Sequence, residues 1–141
     1  MNSLELMGYS PVSEAKVPFF SMSVYAGLPS PVESDIDRFV DLNEFLVEHP
    51  AATFFCKVNG DLFADAGVRD GDMLIVDSAV ETRDGKMIIV EMNGELTIKI
   101  FRENNGEEFL QSYNKQFLPV KIEPYIEFVK LGVVTKIIHS I

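Results

Sequence analysis

The sequence predicts a mainly β domain, a barrel or sandwich of short strands, behind one short helix and an extended amino-terminal arm. Three observations carry this reading. From Ala52 onward, apolar residues alternate with polar ones or gather in short β-branched runs. Turn-forming pairs separate those runs at short intervals. Ahead of them, four of the seven prolines (Pro11, Pro18, Pro29 and Pro31) fall in a stretch with neither helical nor strand periodicity.

Residues 1 to about 40 therefore read as an arm outside the core. Its apolar residues, among them Val17, Phe19, Phe20, Met22, Val24 and Tyr25, are too many for an idle linker, so the arm is expected to lie against this chain or another. The stretch from Asp41 to His49 places Leu42, Phe45 and Leu46 at helical spacing, with Asp41 as a capping residue and Pro50 as the stop. Residues 41–141 form the domain. Its expected strands are ATFFCKV, DMLIVD, KMIIVEM, ELTIKIF, EEFLQSY, YIEFVKL and GVVTKIIHS, parted by Asn59-Gly60, Asp70-Gly71, Asp84-Gly85, Asn93-Gly94, Asn105-Gly106 and Pro124. The Asn93-Gly94 pair predicts the clearest hairpin, because both residues tolerate the positive φ that a two-residue turn requires.

With 141 residues there is room for one core, and 47% apolar against 24% charged residues is ordinary globular composition. A net charge of −10 repels a phosphate backbone, so direct duplex DNA binding is not expected. Cys56 is the one cysteine, which excludes an internal disulfide and a cysteine-rich zinc site and fits a reducing compartment. No run is long enough to span a membrane and the first residues lack a secretory pattern, so a cytoplasmic protein is expected. Searches for chemistry return little. No phosphate-cradling glycine loop, HExxH, GxSxG or calcium-loop spacing occurs, and His49 and His139 have no ligand partners close in sequence. Acidic groups at Glu107-Glu108 and from Glu33 to Asp37 read as solvated faces, and Cys56 inside TFFCKV reads as a small hydrophobe. Neither a metal site nor a cofactor is expected.

The segment ATFFCKVNGDLFADAGVRDGDMLIVDSAVETRDGKMIIVEMNGELTIK resembles the carboxyl-terminal domain of the UmuD and LexA family of self-cleaving proteins. The turn Gly27-Leu28-Pro29-Ser30-Pro31 and the helix start Val40-Asp41-Leu42-Asn43 resemble the UmuD branch, and the basic DNA-binding domain of LexA-type repressors is not expected among the residues before Asp41. The resemblance covers residues 17 to 141. It implies a distorted β barrel whose Ser/Lys dyad cuts the protein's own arm, the lysine serving as general base when its amine is neutral.

The family's nucleophile is the fourth residue of a motif read SGDSM; here the matching stretch is Asn59-Gly60-Asp61-Leu62-Phe63, and Leu62 has no nucleophilic atom. The general-base position matches Lys99. By periodicity alone Lys99 shares a strand face with Glu95 and Thr97, which reads as a solvent face, so a surface lysine and a relict base both remain open. The matching scissile bond is Ala26-Gly27, and Phe19 and Phe20 lie upstream, where such arms meet polymerase machinery. By resemblance the protein is then an accessory of the DNA-damage response. It forms a homodimer or pairs with a UmuD-type paralogue, and it joins a translesion polymerase subunit and the recombinase filament. Loss of self-cleavage is the first reading. Alternatives are an arm cut in trans by an active paralogue, or a peptidase with a displaced nucleophile such as Ser78, Thr97 or Ser112.

Overall fold

The computed structural model describes residues 3–11, 13–20 and 36–141. Two compact units emerge: residues 1–9 with 49–141, and residues 10–48. In the smaller unit, β2 (Lys16–Phe20) pairs antiparallel with β3 (Ile36–Asp41), and helix α1 (Leu42–Leu46) follows directly. Asp41 caps α1 as its sequence position predicts: the carboxylate accepts the Asn43 N–H at 2.9 Å and the Ala15 N–H at 3.2 Å. The helix is one turn shorter than the apolar spacing predicts, because Val47 is already extended at φ −126°.

The larger unit is a single antiparallel sheet of eight strands: β1 (Ser3–Gly8), β4 (Thr53–Asn59), β5 (Met73–Asp77), β6 (Met87–Met92), β7 (Glu95–Asn104), β8 (Glu107–Gln111), β9 (Val120–Lys121) and β10 (Val129–Ile138). Their order across the sheet is β1-β4-β5-β10-β6-β7-β8-β9. The sheet curls into a half-barrel, the distorted β architecture the sequence predicts.

Both faces of the central strands are covered. Leu4, Cys56, Val58, Phe63, Val68, Leu74, Val76, Ile89 and Ile98 form one cluster; Ile88, Val90, Phe101, Leu110 and Val133 form the other. This explains why MLIVD and MIIVEM read as continuous apolar runs rather than alternating ones. Asn93 (φ 52°) and Gly94 (φ 76°) close the β6–β7 hairpin, and Asn105 (φ 53°) with Gly106 closes β7–β8 in the same way.

Several strands differ from the sequence reading, β2 and β3 among them, since the residues before Asp41 carry no strand periodicity. Ser3–Gly8, assigned to the arm outside the core, pairs along its whole length with β4, and Leu4 is buried. Only one of its side chains enters the core, too few for a period-two signal. The expected strand YIEFVKL is strand only from Val129, and its end runs on into GVVTKIIHS as one strand, β10, because Gly132 is not a break. Its missing side chain lets β10 approach β5 closely, and register shifts at Lys130/Gly132 and Val134/Lys136 keep the bent strand paired on both sides. The two-residue β9 carries no readable pattern.

Candidate functional site

Strand β4 ends at Asn59, and the chain enters a loop running to Asp72 that is closed at its base. Val58 N–H donates to Asp72 O at 2.9 Å, and Gly71 N–H donates to Val58 O at 2.8 Å. Within the loop, the Asp70 carboxylate accepts the Gly60 N–H at 2.6 Å. Phe63 anchors the loop by entering the core beside Val58 and Val68, which stabilises it by about 1.5–3 kcal/mol relative to exposure. Its neighbour Leu62 is consequently turned outward and is 63% exposed.

Leu62, Phe63 and Asp65 of this loop line a cavity of about 190 Å³, together with Thr97, Ile98 and Lys99 of β7 and Ser112, Tyr113, Asn114 and Phe117 after β8. Leu62 and Lys99, far apart in sequence, thus border the same space. Lys99 is half-buried. No hydrogen bond or ion pair reaches its Nζ from the described residues. Burial raises the Tyr113 hydroxyl above its ordinary value, against a smaller lowering by Arg102, so the phenol keeps its proton at neutral pH.

The three alternative hydroxyls separate. Thr97 and Ser112 line the cavity with Lys99, whereas Ser78 donates to Ala52 O at 3.0 Å and borders a different cavity, between Val80, Phe101 and Phe128. Cys56 is fully buried, and burial pushes its thiol up to about 11 against a smaller lowering by a backbone hydrogen bond with Glu5, so it is no nucleophile at neutral pH. Ala26 and Gly27 lie outside the described residues. The backbones of Phe19 and Phe20 belong to β2, and their side chains lie outside the description. Among the described residues no group of three His, Cys, Asp or Glu side chains is disposed to hold a metal ion.

Sequence reasoning missed the partners of both histidines. Two aspartates bound the apolar strand β5, both nearly inaccessible to solvent, and each binds an imidazole: Asp77 meets His49 Nδ1 and Asp72 meets His139 Nδ1, both at 2.6 Å. Arg69 Nη1 donates to His139 Nε2 at 3.3 Å, which leaves the ring proton on Nδ1 to donate to Asp72. The second Asp72 oxygen accepts the Arg69 N–H at 2.8 Å. Near the carboxyl terminus, His139 thereby clamps the base of the loop that presents Leu62.

Burial alone raises the Asp72 carboxyl, yet the Arg69 N–H, the His139 hydrogen bond and the nearby Arg69 charge outweigh it and hold the group below its ordinary value. A carboxyl depressed on folding contributes stability that is present above the unfolded value, about pH 4, and lost as pH falls through the lower native one. Urea midpoints should accordingly drop below pH 4 in the parent and drop less in Asp72→Asn. His139→Ala should cost about 1–3 kcal/mol at neutral pH, the penalty for leaving a buried acceptor unmatched.

Comparison with known proteins follows the same lines. The family model described as peptidase S24-like matches residues 18–135. The protein ImpA of Salmonella typhimurium is 36% identical over 124 residues, covering 86% of this chain and 83% of ImpA. MucA of Escherichia coli is 34% identical over 128 residues, covering 89% and 84%. The LexA repressor of Methylococcus capsulatus is 32% identical over 116 residues, covering 79% of this chain but 57% of the repressor. On its fold and on these matches, the chain belongs to the peptidase S24-like family, among its UmuD-like members.

Proposed function

We propose that this protein is a UmuD-like accessory of the DNA-damage (SOS) response and error-prone translesion synthesis, acting as a dimeric binding module that no longer cleaves itself. One observation carries the loss of cleavage. Leu62, the residue matching the family's nucleophile, borders the Lys99 cavity with a side chain that has no atom able to attack a carbonyl. Without a hydroxyl there, the general base has no proton to take and the acyl-enzyme step cannot begin at position 62. Likeness to ImpA and MucA over most of the chain supports the role in mutagenesis.

The module's partners are a second copy or a UmuD-type paralogue, a translesion polymerase subunit and the recombinase filament. A net charge of −10 argues for reaching DNA through those proteins rather than by direct contact. Co-expression with a serine-bearing UmuD-type relative tests the reading: it predicts a co-purifying pair in which this chain keeps its full mass. Recovery of this chain as an unpaired monomer contradicts the binding module. Removal of its first 26 residues in that mixture instead makes it a substrate cut in trans at Ala26-Gly27.

A further inference from the structure

We propose that the outer edge of β1 is a docking strand for β1 of a second copy of this chain, the two sheets joining antiparallel about a two-fold axis at Leu6. β1 is the last strand on its side of the sheet and pairs with β4 alone among the described residues. The outer edge of such a strand carries a row of backbone N–H and C=O groups open to another chain. The two ends of the sheet differ in how they meet this hazard. At the far end β9 is two residues long, follows Pro119 and contains Lys121, whose ammonium lies at 3.3 Å from Glu107 and 3.4 Å from Glu123. A short edge with proline and lysine resists pairing. β1 has six residues, no proline, no lysine and no register shift against β4, and its one charged residue is Glu5. On it Leu6 and Met7 are 48% and 41% exposed, so its side chains favour a partner as its backbone does.

The register follows from the composition of the strand. When two copies of a strand pair antiparallel about a two-fold axis through one residue, that residue meets its own copy and its neighbours meet each other across the axis. Centring on Glu5 sets two carboxylates directly opposite, which is destabilising. Centring on Leu4 or Met7 engages only the residues at one end of the strand. Centring on Leu6 sets Leu6 against Leu6, Glu5 against Met7 and Leu4 against Gly8, so every residue from Leu4 to Gly8 takes part and no like charges meet. Gly8 has open space where a side chain would stand, so nothing there obstructs the incoming strand.

This edge lies outside residues 18–135, the span that the family model matches. β1 also precedes Ala26, so the seat rests on the loss of cleavage proposed above: a chain that keeps its arm keeps this edge.

The full-length chain is sized by light scattering, with the intact mass of each sample checked. Leu6→Lys and Leu6→Glu each set like charges across the axis and should halve the particle mass of the parent, and an equimolar mixture of the two should restore it. A second measurement places no charge in the strand. Under mild oxidation Leu6→Cys should give a covalent dimer, its two Cα atoms lying about 5 Å apart, whereas Met7→Cys, about 8 Å from its copy, should not. Cys56 is buried and does not compete. A monomeric parent, an unchanged particle mass in both charge variants, a mixture that does not regain the parent mass, or equal cross-linking at positions 6 and 7 overturns the proposal. With the chain whole in those samples, the loss of cleavage stands. A parent found without its first 26 residues overturns both.

Discussion

Changing Leu62 to serine together with Phe63 to methionine should create a chain that cuts itself between Ala26 and Gly27, where the parent yields no product. Leu62 is mostly exposed, so the first substitution should change stability by no more than about 0.5 kcal/mol. It places a hydroxyl on the wall that faces the Lys99 cavity. Phe63 is the harder position, since it lines the same cavity while anchoring the loop in the core. A flexible methionine keeps much of that burial, at a cost of about 1 kcal/mol, and restores the side chain that the family motif carries. The product is read by mass after incubation at alkaline pH. A positioned general base contributes roughly 10²–10⁴-fold, so adding Lys99→Arg to the double variant should reduce the cleavage rate by that order. Cleavage that ignores Lys99 would mean that the amine is not the base.

An effect on stability as large as that of His139→Ala is expected from Gly132→Ala. A Cβ there would stand 2.9 Å from Val76 Cγ1 and 3.0 Å from both the carbonyl carbon and the oxygen of Asp77. The Val76 methyl can turn, but the Asp77 backbone cannot retreat. It belongs to the β5–β10 ladder at Val133↔Asp77, and its side chain is held by His49 and the Ala79 N–H. Overpacking of this kind costs about 1–3 kcal/mol. At roughly 2–4 °C per kcal/mol for a domain somewhat larger than this one, Tm should fall by several degrees or more. Gly8→Ala, with nothing within 4 Å, should leave Tm nearly unchanged and serves as the control. Equal Tm values for the two variants would show that β10 can move away from β5.

The same glycine marks where the sequence is hardest to read. Glycine inside a β pattern signals either a break or a close approach of two backbones, and only tertiary neighbours decide between them. The strands that were legible announce themselves locally, through β-branched runs ended by Asn-Gly turns, as at Asn93-Gly94. Those that were not, Ser3–Gly8, Lys16–Phe20, Ile36–Asp41 and Val120–Lys121, depend on their pairing partners rather than on a local pattern. The site divides in the same way. That Leu62 and Lys99 share a cavity was expected from resemblance, while periodicity assigned Lys99 to a solvent face. Strand β7 is covered on both sides, with Ile98 in one apolar cluster and Phe101 in the other, and Lys99 on it is half-buried. The pairs His49–Asp77 and His139–Asp72 left no sequence signal, since hydrogen bonds across 28 and 67 positions follow from the sheet order alone.

The most direct measurement is the intact mass of the purified parent chain, held at alkaline pH alone and again with recombinase filaments on single-stranded DNA. The Leu62→Ser, Phe63→Met chain is run beside it. The parent mass is expected to stay unchanged in both conditions while the double variant splits. A parent chain that splits after Ala26 with no second UmuD-type protein present would show that it still cleaves itself.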